Sequence, residues 1–183
     1  MAKTKGTTLL SLVKFLASQR ERALAVLPAG VHHYLGGERI QPSSWYPEED
    51  LHALLCGMLE LLPGDRMQTL EQLGASVARE HLEGVYRHLR SDDIDTLARR
   101  SVALWGSQHD TGAFAIEMDG HAAARFEVRD YAAPSREMCT IFRGYFAETL
   151  RISGATDVAV EELSCVLRGA DACSWAVTWR RPG

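Results

Sequence analysis

A chain of 183 residues with a net charge of −4 and an apolar fraction of 46% has the size of one domain and enough apolar material for a buried core. It lacks the basic surface that releases counterions from a nucleic-acid backbone: Lys3 and Lys5 are isolated, and Arg99-Arg100 and Arg180-Arg181 are only pairs. The apolar stretch 9–16 is interrupted by Lys14 and followed by no small-residue cleavage site, so it reads neither as a signal peptide nor as a membrane span.

Residues 7 to about 107 read as helices. Thr7 or Thr8 caps a helix carrying Leu9, Leu12, Val13, Leu16, Leu24 and Leu27, which Pro28-Ala29-Gly30 stops. Gly36-Gly37 and Pro42-Ser43-Ser44 punctuate a linking stretch. Pro47 suits a first helical position, and Glu48, Glu49 and Asp50 suit the positive end of the helix dipole. The helix they start shows Leu51, Leu54, Leu55, Met58, Leu61 and Leu62 on one face, with Cys56 as a small buried residue. A longer helix over residues 67–89 carries Leu70, Leu73, Val77, His81, Val85 and Leu89, and Ser91-Asp92-Asp93 caps a fourth that runs towards Trp105.

From residue 108 the period changes to two. Residues 113–118 and 121–128 read as strands around Asp119-Gly120, a hairpin turn. Pro134-Ser135 opens a helix with Ile141, Tyr145, Phe146 and Leu150 that ends near Gly154, and residues 157–167 and 171–180 form the last two strands. The order of helices, hairpin, helix, hairpin predicts an α+β fold. N-terminal helices pack on a mainly antiparallel four-stranded sheet. The whole of 1–183 is one domain, with a helical part over 1–107 and a sheet-bearing part over 108–183.

Four cysteines without a secretion signal point to a reducing, cytoplasmic setting, where thiols are free, metal-bound or reactive. With Gly169 at the centre of the last turn, Cys165 and Cys173 face each other across two strands, close enough to share one zinc. Cys139 lies in the first turns of the preceding helix, whose N-terminus favours a thiolate, and Glu127 on the second strand is the best placed fourth ligand, ahead of Asp130. Three small core residues, or a Cys165–Cys173 disulfide, are the other readings of the same spacing.

The run Cys139-Thr-Ile-Phe-Arg-Gly144-Tyr145, then Glu161-Glu162-Leu163-Ser164-Cys165 and Gly169-Ala-Asp171-Ala-Cys173, resembles the C-terminal signature of 4-vinyl reductase domains. The resemblance implies that these cysteines, with a further ligand on an earlier strand, hold a structural zinc. Lys5-Gly6-Thr7 and Trp45-Tyr46-Pro47 add a likeness to a myxobacterial family of unknown function. Both resemble the superfamily of haem-nitric-oxide sensing domains and the small subunits of the Golgi transport-particle (TRAPP) complex, which implies a pocket between helices and sheet and frequent homodimers.

Within that superfamily a haem sensor needs a histidine on a helix before the first hairpin and a Tyr-x-Ser-x-Arg clamp. His109 sits in an expected loop, and Tyr131-Ala-Ala-Pro-Ser135-Arg136 has the wrong spacing, so haem is not expected. His81, on an otherwise apolar face, reads as a partly buried, hydrogen-bonded histidine. The chain has no Gly-x-Ser-x-Gly, phosphate loop, dinucleotide fingerprint or His-Glu-x-x-His, so it reads as no enzyme.

The function expected is a cytoplasmic sensory module with output through a protein partner. Its small apolar or aromatic ligand would lie among Trp105, Phe114, Phe126, Phe142, Phe146 and Trp175. A dimeric scaffold like the transport-particle subunits is the alternative, and a haem-based gas sensor the minor one.

Overall fold

The computed structural model describes residues 1–37, 39–91 and 93–181. The chain divides into two compact units, residues 1–66 with 107–111 and residues 67–106 with 112–183. The architecture is α+β, as the order of periodicities predicts.

In the first unit, β1 (Lys3–Lys5) pairs antiparallel with β2 (Trp45–Pro47), Lys3 opposite Pro47 and Lys5 opposite Trp45. Three residues per strand are too few to show an alternation, which is why the sequence does not announce this ribbon. The helix expected over 7–27 is two helices, α1 (Gly6–Ser18) and α2 (Arg20–Val26), broken where Gln19 leaves helical geometry at φ −124° and ψ 39°. A 3₁₀ segment, Ala29–Leu35, follows. Helix α3 (Glu48–Leu61) starts directly after Pro47 with its three acids in the first turn, as expected. Leu9, Leu16, Leu54 and Leu55 are fully buried and form the centre of this unit.

In the second unit, α4 (Arg66–Glu80) is shorter than the helix expected over 67–89. A π turn at His81–Val85 follows it, with Gly84 at φ −109° and ψ −114°, and then a 3₁₀ turn at Arg87–Leu89. Gly84 supplies the non-helical backbone that ends the run. Helix α5 (Ile94–Gln108) is capped by Asp93, whose Oδ2 accepts from the Thr96 amide at 3.0 Å, while Asp92 lies outside the described residues.

Four antiparallel strands, β3 (Ala113–Met118), β4 (Ala123–Arg129), β5 (Thr156–Ser164) and β6 (Ala172–Arg180), lie in the order β3-β4-β6-β5. The first hairpin turns through Gly120 at φ 74°, with the Asp119 amide donating to the Ala123 carbonyl at 2.8 Å. Helix α6 (Arg136–Ile152) packs on β5 and β6 and buries Met138, Cys139, Phe142, Phe146 and Leu150.

Ser135 begins α6: its Oγ accepts from the Met138 amide at 3.1 Å. Ser135→Ala leaves that amide without its acceptor and is expected to cost about 1 kcal/mol in urea denaturation. An unchanged midpoint would contradict a working cap.

Candidate functional site

Alternation along β6 puts Cys173, Trp175, Val177 and Trp179 on one buried face. Cys173 stands opposite Val128 of β4. Strand β5 stops at Ser164, sooner than the expected 167, because Val166–Arg168 coil into a 3₁₀ turn that ends on Gly169 at φ 85°. That turn folds Cys165 inward just past the strand end, and the first turn of α6 supplies Cys139. The Cys139 thiol donates to Cys173 at 3.8 Å, the Cys173 thiol to Cys165 at 3.9 Å, and all three sulfurs lie within 4.8 Å of one another.

All three cysteines are buried. Burial first, and then the neighbouring sulfurs, push the Cys139 thiol well above its ordinary range. Burial pushes the Cys173 thiol up as well, against the Val166 amide and the Cys139 thiol, which act the other way. Burial therefore opposes the thiolate that a helix N-terminus favours at Cys139.

The three cysteines expected together are together, and Glu127 is not with them. It stands opposite Ser174, one residue out of phase with Cys173, and so belongs to the other face of the sheet. There its carboxylate is paired with Arg129 and, at 3.3 Å, with Arg125.

A cavity of about 190 Å³ opens beside the thiols. Its walls include Val128, Tyr131, Met138, Phe142, Cys139 and Cys173, with Asp130 and Asp171 also lining it. Of the six aromatic residues expected to enclose a ligand, Phe142 alone lines it. The six are at most 9% exposed and fill each other's space. Phe114 stacks on Phe146 at 5.2 Å and 7°, Phe126 meets Phe146 edge-on at 4.9 Å, and Trp175 meets Phe146 at 5.4 Å. The expected ligand pocket is a packed core: aromatic residues on alternate strand positions and one helix face meet each other before they can leave a void.

Among the histidines, His109 and His81 each face the oxygen of a side chain far away in sequence. In the first unit, His109 Nδ1 and Glu48 Oε1 are 2.6 Å apart, with 8% and 3% of their side chains exposed. His109 is no loop residue, since it forms a bridge with Thr4 of β1. In the second unit, His81 Nδ1 lies 3.2 Å from the Tyr145 hydroxyl, whose proton burial holds well above the ordinary phenol range.

No protein-family model matches the chain, and no curated protein matches it. Solved structures match over nearly the whole length. An H-NOX protein from S. oneidensis in the Fe(II) ligation state has a TM-score of 0.69 at 12% identity, covering 98% of this chain and 97% of its own. A doubly substituted Tt H-NOX gives 0.70 at 12%, covering 97% and 96%. An oxygen-binding H-NOX domain related to soluble guanylate cyclases, in its oxygen complex, gives 0.67 at 11%, covering 96% and 93%. The chain therefore has the H-NOX fold.

The 4-vinyl reductase and transport-particle resemblance is corrected by this match. It rests on Cys139, the Gly144-Tyr145 pair, the Glu162-Leu163-Ser164-Cys165 strand and the Gly169–Cys173 hairpin, which are local features, whereas the match runs along the whole chain. The zinc and aromatic-ligand expectations tied to that resemblance are corrected with it. So is the setting aside of haem, because structures of this fold are described by their haem and its distortion.

The donor chemistry of the chain fits such a group. Helix α5 carries no histidine, but His109 is the residue directly after it. The buried His109 imidazole, with Nδ1 2.6 Å from the Glu48 carboxylate, is of the kind that a supporting carboxylate orients in metal sites.

Proposed function

We propose that this chain is a non-catalytic, cytoplasmic sensory module that reads a small gaseous ligand through haem and passes its state to a protein partner, with a second copy of the chain as one such partner. The observation that carries the reading is the H-NOX fold over 96–98% of the chain, in structures described in Fe(II), Fe(II)NO and oxygen-bound states. No helix among the described residues is long and apolar enough to cross a membrane.

Haem, when bound, supplies an iron at which a diatomic gas is held. His109 is the residue that would hold the iron, through Nε2. Glu48 keeps the imidazole proton on Nδ1 and so raises the basicity of the other nitrogen.

Haemin titration of the purified chain tests this, followed by absorbance. Saturable one-to-one uptake with a Soret band is expected, weakened roughly tenfold or more in Glu48→Gln and abolished in His109→Ala. Haemin that stays free, or full uptake in His109→Ala, overturns it.

A further inference from the structure

The three-thiol cluster takes no part in the haem reading. Its sulfurs are mutually within 4.8 Å, so an atom at the centre of the triangle lies close to ordinary metal–sulfur bonding distance, about 2.3 Å, from each. The donor set is three soft sulfurs with no fourth member among the described residues, because Glu127 is turned to the other face and held by arginines. We propose that Cys139, Cys165 and Cys173 form a binding site for trivalent arsenic, taken up as arsenous acid.

The chemistry suits three buried thiols. Three As–O bonds of arsenous acid break and three As–S bonds form. Each departing hydroxide leaves as water with one thiol proton, and arsenic remains trivalent. Neutral reactants give a neutral product, so no charge is buried. A divalent cation held by the same residues as thiolates leaves a net negative charge in an apolar site, where an unpaired charge is costly. Asp130 and Asp171 on the cavity wall add to that cost. Trivalent arsenic also needs three ligands and no fourth, since its lone pair occupies the remaining direction. The cavity lined by Cys139 and Cys173 gives arsenous acid its entry path.

The test is native mass spectrometry of the full chain with arsenite, and with zinc in a parallel sample. The expected result is one adduct per chain that has gained one arsenic and lost three hydrogens, retained in Cys56→Ser and lost in Cys139→Ser, Cys165→Ser and Cys173→Ser. A serine variant that fails to fold does not decide the matter, because alkylation of the wild-type chain after arsenite reads the same site. In denaturant that exposes all four thiols, Cys56 is expected to be labelled with and without arsenite, and the other three cysteines to be labelled without it and spared with it. No adduct, an adduct that has lost fewer hydrogens, equal labelling of the three cysteines with and without arsenite, or uptake of zinc but not arsenite each overturns the proposal. None of these outcomes depends on haem.

Discussion

Trp175→Ala is expected to destabilise the chain by about 3–5 kcal/mol, lowering the thermal midpoint by on the order of 10 °C. Trp175 is fully buried in the middle of β6, opposite Phe126 on one side and Glu162 on the other. Its ring meets Phe142 at 6.2 Å and Phe146 at 5.4 Å, both nearly edge-on. Truncation removes the surface against which α6 packs and leaves a void that rigid neighbours on two strands cannot close. The indole Nε1 is buried with no hydrogen-bond partner among the described residues, so Trp175→Phe keeps the aromatic contact and removes that donor. It is expected to cost clearly less than alanine. Urea denaturation of both variants separates the two terms, and a loss within about 1 kcal/mol for alanine would contradict the packed core.

Gly144→Ala is expected to destabilise by about 3 kcal/mol or more, although helix propensity alone favours alanine by about 1 kcal/mol. A β-carbon at Gly144 in α6 would fall 2.0 Å from the Glu71 carbonyl oxygen of α4. One at Gly74 would fall 2.0 Å from the Ile141 carbonyl oxygen. The two glycines face each other across one close crossing, and because the obstacles are backbone atoms the helices must separate. Gly106, inside α5, has nothing within 4 Å of its added β-carbon. Gly106→Ala is therefore expected to be neutral or stabilising by up to about 1 kcal/mol. If the two alanine variants behave alike in denaturation, the close crossing is wrong.

The parts of the fold legible in the sequence are those where period and punctuation agree. Helix α3, the two hairpins of the sheet and α6 with its Ser135 cap lie within a few residues of their expected places, because Pro47, Gly120, Ser135 and Gly169 each mark an end by local chemistry. The β1–β2 ribbon was invisible because its three-residue strands are joined only by the fold. The break at Gln19 and the π turn after Glu80 lie within runs whose apolar spacing continues past them, so periodicity alone ran the helices on.

The site shows the same division. Hairpin alternation placed Cys173 correctly in phase, and the same alternation excludes Glu127, which stands one position away on the neighbouring strand. What spacing could not supply was the mate of His109. Glu48 reads in sequence as a dipole-complementing acid in the first turn of α3, and only the fold brings its carboxylate 2.6 Å from that imidazole. Nor could composition tell a lined pocket from a filled one, since aromatic residues serve both.

The proposed gas-reading function is tested most directly by the absorbance spectrum of the haemin-loaded, reduced chain before and after nitric oxide is added. A Soret band at one haem per chain that shifts on adding the gas is the predicted result. A spectrum that remains that of free haemin, or a bound haem whose band does not respond, would contradict it.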